Sequence, residues 1–191
     1  MHRMVKAAID RHKEMVAELE RGGAAGIEAV ARLIVASLKA GGTVYICGNG
    51  GSAADAQHIA GEMVGRFMRE RKALAAAALT TDTSVLTSVG NDYGYNSIFV
   101  RQVEGLVKKG DVLWALSTSG SSPNIVEAAE LAKKKGANVV AFTGRSGSRL
   151  ERIADACFCA ADPASCRSQE IHQLAYHIVC DIVEAEMSGE Q

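Results

Sequence analysis

The chain has 191 residues, 48% hydrophobic and 23% charged, enough for one globular α/β domain with a sizeable core and too few for two. Lys and Arg number 21 against 22 Asp and Glu, with no basic run and no basic stripe interleaved with aromatics, which argues against nucleic acid as a ligand. The charged start Met1-His2-Arg3-Met4-Val5-Lys6 lacks a signal peptide's apolar core, no apolar run could span a bilayer, and the five scattered cysteines lack Cys-x-x-Cys spacing, so the expectation is a cytoplasmic protein with reduced thiols and no membrane association.

Val5, Ala8, Ile9, Met15, Val16 and Leu19 form a helical stripe over residues 4–21, with His12 on it as a packing residue. Ile27, Val30, Ile34 and Leu38 repeat the stripe after an expected break at Arg21-Gly22-Gly23. Two amphipathic helices in residues 1–40 thus precede the first strand, and their stripe is expected to cover a second subunit. A strand over Thr43–Cys47 runs into a glycine-rich turn and then a helix from Ala53. Ala56, Ala60, Met63 and Phe67 line one face of that helix, and His58 and Glu62, one turn apart, lie on the other.

Ala73–Leu79 is a strand of weak propensity, and Ser84–Val89 a short helix closed by the turn Gly90-Asn91-Asp92-Tyr93-Gly94. A longer helix spans 96–107. The clearest strand, Asp111–Leu116, leads through a Ser/Thr-rich loop into a helix over Ile125–Lys135, with Pro123 in its first turn and Ser121 or Ser122 as cap. Strands at Val139–Phe142 and Ala156–Ala160 follow, then a last helix over Ser168–Met187 with Ile171, Leu174, Ala175, Ile178, Ile182 and Val183 inward and His177 on a flank. The alternation predicts one α/β domain over residues 1–191, a parallel sheet covered on both faces, with ligands at the carboxyl ends of its strands.

Two stretches carry chemistry. Gly48-Asn49-Gly50-Gly51-Ser52 brings backbone N–H groups and a helix start to one point, the requirement for holding a phosphate or sugar oxygen. Ser117-Thr118-Ser119-Gly120-Ser121-Ser122 offers more hydroxyls than capping requires, which favours phosphate over a simple capped turn. No lysine stands at the spacing of a nucleotide-triphosphate loop. Residues 48–53 also fit Gly-x-Gly-x-x-Ala of dinucleotide folds, but the nearest ribose-binding acid, Asp82, falls too late in the chain. His58 and Glu62 could be a solvated face with Glu62 and Arg66 paired, and His177 a surface histidine. Together with two cradles they supply an acid–base pair and an anchor, the parts that move a proton beside a sugar carbonyl.

Those residues lie in GNGGSAADAQHIAGE, LTTDTSVLTSVGNDYGYN, STSGSSPNI and SQEIHQLAYHIV, four blocks in order by which the chain resembles the phosphoheptose isomerases of the sugar-isomerase (SIS) domain superfamily over nearly its whole length. The resemblance implies a flavodoxin-like five-stranded sheet with an N-terminal helical extension and a homotetramer with sites between subunits. It implies conversion of sedoheptulose 7-phosphate to D-glycero-D-manno-heptose 7-phosphate for bacterial heptose and lipopolysaccharide synthesis. Carried over by motif, Asn49, Gly50, Gly51, Ser52, Asn91 and Asp92 meet the sugar, and Ser117, Thr118, Ser119 and Ser122 hold the phosphate. Glu62 and His177 are the acid–base pair, and His58, Glu62, Gln169 and His177 match zinc ligands, Gln169 also facing substrate. Segment 162–167 is poorly matched and receives no role. Two other readings stay open: the non-catalytic replication-initiation partner proteins of the superfamily, which lack the Glu62 and His177 equivalents, and isomerases of another sugar phosphate. Eight residues separate Gln169 from His177, so one regular helix sets them about 12 Å apart along its axis. Either the last helix starts after Gln169 or two subunits each supply one of the pair, and the second is expected.

Overall fold

A computed structural model describes residues 1–189. Its centre is a five-stranded sheet in the order β2-β1-β3-β4-β5, parallel throughout. The strands are β1 (Val44–Gly48), β2 (Ala76–Ala78), β3 (Val112–Ser117), β4 (Asn138–Thr143) and β5 (Ala156–Cys159). β3 is buried at all six positions, as a central strand covered on both faces must be. Its side chains alternate accordingly: Val112, Trp114 and Leu116 join one core cluster, while Leu113 and Ala115 join the other.

On one face pack α2 (Ala24–Lys39), α3 (Gly51–Val64) and α8 (Ser165–Ser188); on the other, chiefly α5 (Ser97–Leu106) and α6 (Pro123–Lys134). The smaller α4 (Thr83–Tyr93) and α7 (Arg149–Ile153) complete the chain, α7 having no signal in the sequence reading. Among the described residues no helix is long and apolar enough to cross a membrane.

Four expectations change. The chain does not break at Arg21-Gly22-Gly23: α1 (His2–Glu18) passes through a π-helical turn, Leu19–Gly23, directly into α2, because both glycines accept helical dihedrals. Nor does the whole N-terminal stripe look outward. Ile27, Val30, Ile34 and Leu38 of α2 are buried in the chain's own core, and only Met4, Val5 and Ile9 of α1 are left exposed. The inward stripe of α8 is also narrower than read: Leu174 and Ile178 are exposed, while His172, Tyr176, Val179 and Glu184 are buried. Finally, Gly90, Asn91 and Asp92 belong to the end of α4, which stops at Gly94, where φ is +84°.

Segment 162–167, given no role from sequence, fastens α1. Asp162 accepts a 2.7 Å bond from Arg11 Nε, which holds its carboxyl below the usual range. His12, expected as a packing residue, instead lies 3.0 Å from Glu170 through Nδ1.

Candidate functional site

β1 ends at Gly48, where a Cβ would stand 2.5 Å from the Ser52 carbonyl oxygen, so the tight turn into α3 excludes any side chain there. Gly50 caps α3 with φ +55° and ψ −120°, open only to glycine. The turn is tied across the sheet. Asn49 and Asn124 exchange two amide hydrogen bonds of 3.0 and 2.8 Å, and the Tyr95 hydroxyl donates 3.0 Å to Asn49 Oδ1. The Asn49 side chain is thus occupied by protein, which leaves backbone at 49–51 as the free donor set.

Across this turn, at the end of β3, the hydroxyls of Ser117, Ser119 and Ser122 form a triangle with sides of 3.3, 3.3 and 3.4 Å. Ser122 sits at the cap position of α6 but makes no capping bond, unlike the expectation, because its hydroxyl faces this triangle. Asn49, Ser52, the three serines, Thr118 and Gln169 line a polar cavity of about 70 Å³. That is space for about two waters at roughly 30 Å³ each, or one small tetrahedral anion. No lysine or arginine lines it, so an anion there would be met by hydroxyls, backbone N–H groups and the start of α6. A larger groove of about 550 Å³ between Val16, Leu19, Ile27, Ile178 and Ile182 is mostly apolar, its polar lining being the two carboxylates Glu20 and Glu28.

The second centre lies between α3 and α8. His58 Nε2 is 2.9 Å from Glu62 Oε1, and one ligand atom each from His58, Glu62 and His177 fall within 4.8 Å of one another. The rings of His58 and His177 meet edge to face at 5.0 Å, and Phe67 stacks on His177 at 5.5 Å. Partial burial pulls the His177 imidazole below its ordinary value, His58 adds to this and Glu62 opposes it. The alternative pairing of Glu62 with Arg66 does not form: Glu62 pairs with His58, and Arg66, beyond the end of α3, reaches Glu70 at 3.8 Å.

A buried clamp holds these helices together. Glu184 of α8 accepts from the backbone N–H groups of Phe67, Met68 and Arg69 at 2.8, 2.6 and 2.7 Å, and lies 3.3 Å from Arg71 Nε. Arg71 in turn donates to the carbonyls of Glu62 and Met63 at 2.8 and 2.9 Å, closing the C-terminal end of α3. Burial pushes the Glu184 carboxyl up, but the three N–H donors and Arg71 together hold it below the usual range. Sequence reading missed this pair; an acid among apolar residues near the end of α8 was its only signal.

Not every sequence candidate joins these centres. Gln169 and His177 both lie in α8, so the first alternative, a helix starting after Gln169, is excluded. A Cβ on Gly51 would touch the Gln169 amide at 2.7 Å, so Gln169 belongs with the cradle, about two turns from His177. The chain itself therefore assembles a three-member donor set, not the four expected. Asn91 and Asp92 are exposed and hydrogen-bonded to each other at 2.8 Å, outside the residues lining the cavity. Asp82 caps α4 through Val85 N at 2.9 Å, which removes the dinucleotide fold's ribose ligand.

Comparison with known proteins agrees with this layout. The SIS domain family matches residues 9–144. A phosphoheptose isomerase of Akkermansia muciniphila is 51% identical over 166 residues, covering 87% of this chain and 88% of that protein. One of Thiobacillus denitrificans is 53% identical over 166 residues, covering 85% and 84%. The solved structure of phosphoheptose isomerase from Neisseria gonorrhoeae superimposes with a TM-score of 0.91 at 40% identity, covering 96% of this chain and 98% of that one.

Proposed function

The chain belongs to the SIS domain family and, within it, to the phosphoheptose isomerases, and from that premise we propose that it converts sedoheptulose 7-phosphate to D-glycero-D-manno-heptose 7-phosphate. The product would feed bacterial heptose and lipopolysaccharide synthesis. The observation that carries the reading is the convergence of Glu62 and His177 in one chain that also builds a charge-free hydroxyl cradle.

In this reading the phosphate rests on Ser117, Thr118, Ser119 and Ser122, with Asn49, Gly50, Gly51, Ser52, Asn91, Asp92 and Gln169 about the sugar. Glu62 takes the C1 proton of the open-chain ketose and returns it at C2 of the enediol. His177, neutral at neutral pH because of its depressed pKa, can take the proton from one sugar oxygen and return it to the other. The test is turnover of sedoheptulose 7-phosphate and its six-carbon analogues. Conversion of the seven-carbon sugar supports the assignment, conversion of another sugar phosphate alone moves it within the class, and conversion of none favours a partner-binding protein.

Two imidazoles and a carboxylate within 4.8 Å also fit a zinc ion, whose borderline character suits N and O donors. His58, Glu62 and His177 would hold it, and the ion would polarise a carbonyl or restrain the acid–base pair. A homotetramer is proposed as the assembly, supported by exposed Met4, Val5 and Ile9 on α1 and Leu174 and Ile178 on α8. A second copy could bring its Gln169 to the cluster. Because Glu62 and His177 neighbour each other in one chain, mixed Glu62→Gln and His177→Ala subunits should not rescue each other. Mixed Glu62→Gln and Gln169→Ala subunits should, if the site is shared; absence of rescue would count against sharing.

A further inference from the structure

The third imidazole neighbour, Tyr176, is used by nothing above. Its side chain is fully buried, yet its hydroxyl reaches His58 Nδ1 at 2.9 Å from across the α3–α8 interface. The opposite nitrogen of the same ring, Nε2, faces Glu62 Oε1 at 2.9 Å. Asp55, three residues before His58 on α3, lies near the Tyr176 hydroxyl, its charge adding to burial in pushing the phenol's pKa up. Three groups are thus hydrogen-bonded in the order Tyr176, His58, Glu62, with Asp55 close behind the tyrosine.

The donor and acceptor inventory leaves this chain two arrangements when His58 is neutral. A carboxylate only accepts, a phenol donates one proton and accepts, and a neutral imidazole carries its proton on one nitrogen alone. If the Tyr176 hydroxyl donates to His58 Nδ1, the ring proton sits on Nε2 and is given to Glu62. If the hydroxyl turns to Asp55, it accepts from His58 Nδ1–H instead. The lone pair of Nε2 is then directed at the space shared with Glu62 and His177, where a cation could use it.

We propose that Tyr176, backed by Asp55, is a positioning residue that sets the tautomer of His58, and so decides whether Nε2 donates to Glu62 or offers a lone pair to a divalent cation. The inference rests on the metal-binding reading above for its consequence, but not for its geometry. Outer partners of this kind typically change metal affinity by about 10-fold to 100-fold.

Tyr176→Phe keeps the ring and its packing and removes only the hydroxyl. Asp55→Asn is the second variant, on a partly exposed residue; its amide can donate to the phenol oxygen, which directs the tyrosine proton to His58 and holds the Nε2–H form. Two readouts are needed: titration with Zn²⁺ alone, and imidazole ¹⁵N shifts of metal-free protein at about pH 8.5, above the ordinary imidazole pKa of about 6.5. The expected result is a loss of Zn²⁺ affinity of about 10-fold or more in each folded variant, with His58 moved toward Nε2–H in Asp55→Asn. Affinity within about threefold of wild type and an unchanged His58 tautomer would overturn the proposal. Should Tyr176→Phe not fold, Asp55→Asn decides alone. Should wild-type protein bind no Zn²⁺, the metal reading fails, while the His58 shifts of Asp55→Asn still decide the relay.

Discussion

Most hydroxyls of the cradle come from six consecutive residues, 117–122, after one buried strand, whereas the proposed acid–base cluster needs two helices brought together across the fold, with 118 positions separating His58 from its partner Tyr176. The cradle uses neutral groups whose geometry follows from the local turn and the start of α6. The cluster uses titratable groups whose mutual distances depend on how α3 meets α8. A local device can be anchored by its own backbone, while a long-range one needs its own buried supports. For the cluster that support is the Glu184–Arg71 clamp, which holds its helices, while elsewhere on α8 the buried His172 has Nε2 2.9 Å from the Thr143 carbonyl at the end of β4.

The contrast is sharpened most by Glu62→Gln, which removes the proposed base and keeps size and hydrogen bonding. Turnover of sedoheptulose 7-phosphate should fall by about 10² to 10⁴, while binding, measured by calorimetry with the same sugar phosphate, stays within a few-fold. Near-normal turnover would remove Glu62 from the chemistry.

Next comes the clamp. Glu184→Ala strips three N–H groups of their acceptor and leaves the buried Arg71 guanidinium without its counter-charge, and should cost about 3 kcal/mol in denaturant unfolding, with Glu184→Gln less harmful. An unaffected midpoint would mean that α3 and α8 are held by apolar packing alone.

The buried His172 should instead reveal itself in acid. Burial lowers the His172 pKa to about 4, and the bond to Thr143 raises it only in part. A folded-state value below the unfolded value near 6.5 favours the neutral form, so this contribution is complete above about pH 6.5 and is lost as pH falls toward 4. At pH 5 the loss is about 2 kcal/mol, and His172→Gln should show a flatter stability profile between pH 6.5 and about 4. Equal slopes in both proteins would refute that assignment.

The smallest effect is expected at Ser119→Ala, where one of four neutral hydroxyls is removed from the proposed anion site. KM should rise by about 10-fold with kcat little changed, the reverse of the Glu62→Gln pattern.

How much of this was legible in the sequence follows the same division. The glycine turn, the hydroxyl loop and the pairing of His58 with Glu62 are local patterns, and the positions of β1, β3 and β4 follow from apolar runs with turn signals at their ends. The π-helical turn at Leu19–Gly23 was hidden because glycine signals a break equally well when it stays helical. Leu174 and Ile178 are apolar and correctly spaced, yet exposed, because periodicity gives the apolar side of a helix and not what covers it. Gly90 read as a turn, though α4 continues through it to Tyr93. Tyr176, Asn124 and Glu184 matter through partners far away in the chain, which no spacing rule reaches.

The central claim is that Glu62 carries a proton between C1 and C2 through an enediol, and isomerisation in D₂O tests it most directly. The C1 hydrogen taken by the carboxylate can exchange with solvent before delivery, so wild-type product should carry deuterium at C2, and Glu62→Gln should neither label nor convert the sugar. Product formed by the wild type at its normal rate with no deuterium at C2, together with conversion by Glu62→Gln at a similar rate, would contradict the account.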